Sequence, residues 1–204
     1  ARVRFAHGGA EHVAHPILLL EAKVPLAGPR QAARREWAPL PVRTDTRLPL
    51  WRVPVFRAAC ALFSGGTELL PAGWTGSEPR TRASVGIERG VERGARLPAI
   101  GMHPPWFGGA SGAVRVEFPL ELPDAGPIRL LFAAAIRDHM PERGETPSDG
   151  VTFRVRVAPF DAPEAAAGEI LFDRHTAAKE WESAEVDLSA WAGRAVRLQL
   201  ESDP

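Results

Sequence analysis

Ser148-Asp149-Gly150-Val151-Thr152-Phe153-Arg154-Val155-Arg156-Val157 is the stretch that decides the fold class. A polar turn runs straight into strict alternation. Val151, Phe153, Val155 and Val157 fall on one face, Thr152, Arg154 and Arg156 on the other. A period of two is the mark of a half-buried strand. The turn before it has a mechanism: Asp bonds its own backbone and Gly supplies a positive φ.

Working outward, the same grammar recurs. Val114, Val116, Phe118, Leu120 and Leu122 alternate with Arg115, Glu117, Pro119 and Glu121. Ile128 to Ile136 is apolar on both faces, which predicts a central, doubly covered strand. Leu97 to Met102, 150–158, Glu169 to His175 (Ile170 and Phe172 inward), Trp181 to Leu188 and Val196 to Leu200 complete seven strands between 97 and 201. Turn residues separate them, with no βαβ unit and no long helix pattern. That spacing predicts an all-β antiparallel sandwich, for which a jelly roll is the natural closure. Phe132, Phe153 and Val155 are the expected fully buried core.

The N-terminal half is irregular and rich in Pro and Gly. Residues 1–50 read as an extended segment or linker packing on the sandwich, with one strand candidate at 16–24. Residues 51–204 read as the sandwich, best supported over 97–201. The stretch 51–63 fits a helix face (Val55, Phe56, Ala59, Cys60, Phe63) and a strand face (Phe56, Ala58, Cys60, Leu62) equally well; the β context downstream favours strand. Residues 64–96 read as long loops with one or two short strands.

Composition narrows the function classes. The 204 residues can bury roughly 70% of the unfolded surface. Twenty-five basic and 25 acidic residues cancel, so no charge argues for nucleic acid or an anionic membrane. No apolar run approaches the ~20 residues of a membrane-spanning helix. Cys60 is the sole cysteine, which rules out an internal disulfide and a thiolate zinc site and suits a small buried hydrophobe. The chain opens at Ala1 and stops at Pro204 in mid-phrase, as a piece of something longer would.

Three phrases carry a resemblance. They are Ala99-Ile100-Gly101-Met102-His103-Pro104-Pro105, Ser148-Asp149-Gly150-Val151-Thr152-Phe153, and Trp181-Glu182 leading to Val186-Asp187-Leu188-Ser189-Ala190-Trp191-Ala192-Gly193. Together they resemble galactose-binding-domain-like β-sandwiches. The nearest type occurs beside bacterial glycoside hydrolases and in large uncharacterised exported bacterial proteins. The resemblance covers roughly residues 97–201. It implies a non-catalytic carbohydrate-binding or accessory module outside the cytoplasm, secreted or periplasmic. Members of that superfamily bind sugars, bind other ligands, or space domains apart.

Two candidate sites follow. His103-Pro104-Pro105-Trp106-Phe107 sets an imidazole and two aromatics on a proline-stiffened loop. Aromatic faces stack on the C–H face of a sugar while polar neighbours read its hydroxyls. The competing reading makes Trp106 and Phe107 a cap on the sandwich's open end. Asp138 and Asp149 flank the 139–148 loop and, with Glu142 or Glu145, could hold a calcium ion, which needs six to eight oxygen ligands. Sandwiches of the resembled type often carry such an ion structurally. Asp187, Ser189, Trp181 and Trp191 read as structural. His12 and His15 are three apart, but no helix is indicated to align them.

No nucleophile elbow, zincin helix, phosphate loop or activated cysteine is present, so the expectation is a protein that is not an enzyme. Its expected partners are carbohydrate or neighbouring domains of the same polypeptide. A ligand-free structural spacer and a fragment of a glycoside hydrolase are the alternatives.

Overall fold

The computed structural model describes residues 38–63, 65–70, 74–138, 141–143, 148–163 and 166–204. The strand candidate at 16–24, the histidines at 7, 12 and 15, and Glu145 lie outside the described residues. The chain divides between Glu36 and Trp37, and everything described belongs to the unit Trp37–Pro204.

That unit is all-β, with antiparallel sheets in a sandwich-like arrangement. In chain order its strands are β1 (Leu40–Pro41), β2 (Arg57–Leu62), β3 (Thr67–Leu70), β4 (Gly76–Ser77), β5 (Ser84–Glu92), β6 (Arg96–His103), β7 (Gly112–Glu121), β8 (Arg129–Ala134), β9 (Val151–Pro159), β10 (Glu169–Thr176), β11 (Glu182–Asp187) and β12 (Ala195–Asp203). A seven-stranded sheet runs β10-β9-β12-β7-β2-β3, and β1 pairs in parallel with the end of β7. Two small sheets, β8-β11 and β4-β5-β6, complete the fold.

The register of the large sheet explains the alternation in the sequence. One rung runs Ala58, Val116, Leu200, Val155, Phe172 across five strands. The next runs Ala59, Arg115, Glu201, Arg154, Asp173. Apolar rungs face the small sheets. Val85 of β5, Val186 of β11 and Leu188 join Val114, Val116, Phe118, Leu120, Val157 and Leu198 in one buried cluster.

The charged rungs are buried too. Arg115, Glu117, Arg197, Gln199 and Glu201 are all under 7% exposed. Opposite charges stand side by side, which is how cross-strand pairs stabilise a sheet. Glu201 accepts from Arg154 at 3.2 Å and from Arg156 at 3.1 Å. Glu117 accepts from Gln199 at 2.8 Å and from Arg197 at 3.4 Å. The segment after β9 lies along this face: Arg197 donates to the Pro163 carbonyl, Gln199 to that of Ala166, and Arg156 to that of Gly168. Bonds to Asp203, Asp173 and Glu201 hold the Arg154 guanidinium protonated beyond its ordinary range. Desolvation pulls Arg115 the other way, opposed by Glu201 and Glu117.

Several expectations are corrected. Among the described residues the strands buried on both faces are β7 and β12, not 128–136. Strand β8 has, among the described residues, only β11 as a hydrogen-bonded neighbour, and Leu131 is 64% exposed. Val155 is fully buried, but Phe132 and Phe153 are only partly so. Phe132 meets Phe172 edge-on at 5.0 Å, while Phe153 stands opposite Ser202 and Arg174 near the start of β9. Ile170 and Phe172 do not share a face. A register shift between them puts Ile170 beside Arg156 and Phe172 beside Val155, as an extra residue in one strand must. Residues 64–96 hold more strand than their polar composition suggests, because β5 and β6 pair as a long hairpin with its own register shift after Glu88. The 51–63 ambiguity resolves as strand β2.

Candidate functional site

The aromatic loop begins where β6 ends and is tied down by the turn joining β4 to β5. In that turn the Glu78 amide donates to the Ala83 carbonyl and the Arg82 amide to the Glu78 carbonyl, both at 2.8 Å. The Glu78 carboxylate accepts from the Thr81 amide (2.7 Å) and hydroxyl (2.8 Å), and from Arg80 at 3.2 Å. Burial works to raise the Glu78 pKa, but the bonds from Thr81 and from the Arg80 and Thr81 amides outweigh it, and the net shift is downward. Thr81 then offers its carbonyl to the amides of both Trp106 (3.0 Å) and Phe107 (3.1 Å). The loop closes with Ala110 donating to the Phe107 carbonyl at 3.1 Å.

With its backbone held this way, the loop turns its rings outward. Pro104 and Pro105 are buried, while Trp106 is 61% and Phe107 47% exposed. The rings stand nearly edge-on to each other, with centroids 5.9 Å apart and planes at 75°. His103 lies 6.1 Å from Trp106. Its Nδ1 donates to the Pro104 carbonyl at 2.8 Å. The loop places the three neighbouring rings of His103, Trp106 and Phe107 together.

The sequence reading missed Glu78, Thr81 and Arg82, which hold and flank the loop. Gly76, Ser77 and Pro79 are turn-forming residues and are the one signal that could have pointed there, but only the fold brings that turn to residues 103–109. The guanidinium of Arg82 sits 5.3 Å over the Phe107 ring. Phe63, 63% exposed, is linked to the same region through its amide, which donates to the Ser111 carbonyl at 2.9 Å. Cys60 lies beneath the turn. Burial, then the nearby Glu78 charge, push its thiol up to about 11 against a bond from Thr81, so it is no thiolate nucleophile near neutral pH.

The calcium candidates stand differently. The Asp138 carboxylate pairs with Arg93 at 3.2 Å. At Asp149 it is the backbone carbonyl that is engaged, accepting from His175 Nε2 at 3.2 Å. Among the described residues no three His, Cys, Asp or Glu side chains converge as a metal group. The Ser148–Gly150 turn is built by Ser148, whose hydroxyl accepts from the Gly150 amide and donates to its carbonyl. Gly150 has φ 132°, as the turn chemistry predicts.

The structural reading of the C-terminal phrase has matching contacts. Asp187 accepts from the Ser189 amide at 2.8 Å, and Ser189 accepts from the Ile128 amide at 3.1 Å. The Trp181 indole donates to the Ala95 carbonyl at 2.8 Å. Two hollows lie away from the aromatic loop. One, of about 470 Å³, is bordered by Leu131, Phe132, Ser183 and Glu185. The other, of about 320 Å³, is bordered by Leu40, Val53, Pro54 and Pro119.

No protein family model, curated protein or solved structure matches the chain. Among the described residues, no helix is long and apolar enough to cross a membrane.

Proposed function

We propose that the chain is a non-catalytic carbohydrate-binding or accessory module of a larger exported protein, built as a galactose-binding-like jelly roll. The observation that carries the reading is the Trp106–Phe107 pair, exposed on a loop whose backbone is fixed by the Thr81 carbonyl and whose prolines are buried. A preorganised loop loses little entropy when a ligand arrives. The edge-on rings give a sugar one floor and one wall, and His103 is the polar neighbour for a hydroxyl. Affinity should be modest, with Kd between about 10 µM and 1 mM.

A glycan array on the purified protein, followed by calorimetric titration, tests this. Trp106→Ala should abolish binding and leave the melting temperature close to that of the parent. If Trp106→Ala unfolds the protein, the tryptophan is a structural cap and the spacer reading replaces this one. A structural calcium ion at Asp138 and Asp149 is a subsidiary part of the proposal, and it requires Asp138 to exchange Arg93 for the ion. Bound calcium would raise the melting temperature by mass action. Identical melting in millimolar calcium and in excess chelator would remove it.

A further inference from the structure

We infer that the platform takes an acidic carbohydrate, a sugar bearing a uronate carboxylate, and that Arg82 reads the charge. The inference rests on the carbohydrate-binding reading above and names the ligand class. Five rings among the described residues lie beneath an arginine: those of Trp51, Phe56, Phe107, Phe172 and Trp191. Of these only Phe107 is exposed, and it adjoins a second exposed ring, Trp106. A ligand on this platform therefore meets a guanidinium at its margin.

The position of that guanidinium is built. Arg82 has φ 59°, a left-handed conformation uncommon for a long side chain. The turn holds it there through the Arg82 amide on the Glu78 carbonyl, and the neighbouring Thr81 carbonyl holds both aromatic residues. Cation and rings are thus fixed to one another through two consecutive residues of chain, Thr81 and Arg82. The contact with Phe107 restricts the arginine further, and its guanidinium keeps N–H groups for a ligand.

The local charge favours an anion. Arg82 is exposed and has no carboxylate partner among the described residues. Its neighbour Arg80 is bonded to Glu78. Glu78 is itself buried and occupied by Thr81, so it presents no exposed negative charge to a ligand above. A uronate differs from its parent hexose by one carboxylate in place of a hydroxymethyl group. An arginine fork meets that carboxylate with paired, charge-assisted hydrogen bonds.

The test is calorimetric titration of the intact chain with oligosaccharides of galacturonate, glucuronate and mannuronate, each beside its carboxyl-reduced neutral form. At least one acidic form should bind about tenfold more tightly than its reduced partner, a difference of about 1.4 kcal/mol. The margin should shrink in about 0.5 M salt, where exposed charges are screened. Arg82→Gln should erase the margin without moving the melting temperature. Arg82→Gly, which keeps the positive φ at no steric cost, should do the same and serves if the glutamine variant does not fold. Equal affinity for acidic and reduced forms, or a preference that survives the Arg82 variants, overturns this inference and leaves the carbohydrate reading standing. Failure of every acidic form to bind overturns this inference, and a glycan array without a single binding sugar overturns the carbohydrate reading with it.

Discussion

Glu117→Ala is the perturbation that best tests the reading of the large sheet. Its carboxylate is 1% exposed and lies among Gln199 at 2.8 Å, Arg197 at 3.4 Å and Arg57 at 3.8 Å. Removing it leaves Arg197, also 1% exposed, as a buried cation whose remaining described bond is to the Pro163 carbonyl. It also takes one of two acceptors from the Gln199 amide. Breaking a buried charge pair from one side costs about 3–5 kcal/mol, about a fifth or more of the roughly 5–15 kcal/mol that a domain has. The control is Glu185→Ala. Its bond to Arg129 is shorter, at 2.9 Å, but both side chains are about half exposed, so the loss should stay under about 1 kcal/mol. Urea denaturation at constant slope measures both losses as shifts in midpoint. Replacing the pair together, Glu117→Leu with Arg197→Met, should recover part of the loss, because the Arg197 charge is then no longer left buried without its carboxylate. Equal small losses for Glu117→Ala and Glu185→Ala would refute the reasoning and mean that water reaches this face.

Phe118→Ala, at the centre of the apolar cluster, should cost about 3–5 kcal/mol in the same assay, whereas Phe153→Ala, only partly buried, should cost less. Gly150→Ala should lower the melting temperature, since a Cβ there would come within 2.3 Å of His175 Nε2 at a φ that side chains rarely adopt. Cys60 should resist thiol reagents in the folded protein. Because its folded pKa lies near 11 against 9.0 for the free thiol, its contribution is intact below pH 9 and is lost as pH rises toward 11. The unfolded chain releases the proton first, so stability should fall by up to about 3 kcal/mol over that window. Cys60→Ala should flatten that part of the pH–stability curve.

The strands were legible because the period-2 signal is written into single segments such as 114–122 and 151–157. Their partners were not. Nothing in Val196 to Leu200 says that its polar face, Arg197, Gln199 and Glu201, will be covered, since a solvated face and a face of matched charges have the same alternation. The double-apolar run 128–136 misled for a related reason: β8 lies in a two-stranded sheet whose outer side meets solvent at Leu131, so apolar residues on both faces did not mean cover on both faces. The aromatic loop was legible because its residues are contiguous. The turn at 78–82 was not, because the Thr81 carbonyl reaches Trp106 and Phe107 across more than twenty residues of intervening hairpin.

The charged rungs of β7, β9 and β12 also change what a tolerant position means in this protein. Arg115, Arg154, Arg156 and Arg197 occupy the alternate sites that a binary pattern would mark as free to vary. Yet the forks of Arg154 and Arg156 each divide their N–H groups between different acceptors. A lysine offers a single point of charge and cannot reproduce that division. A saturation scan along these strands should therefore find no permissive side: the valine rows should reject polarity, and the arginine rows should reject even lysine.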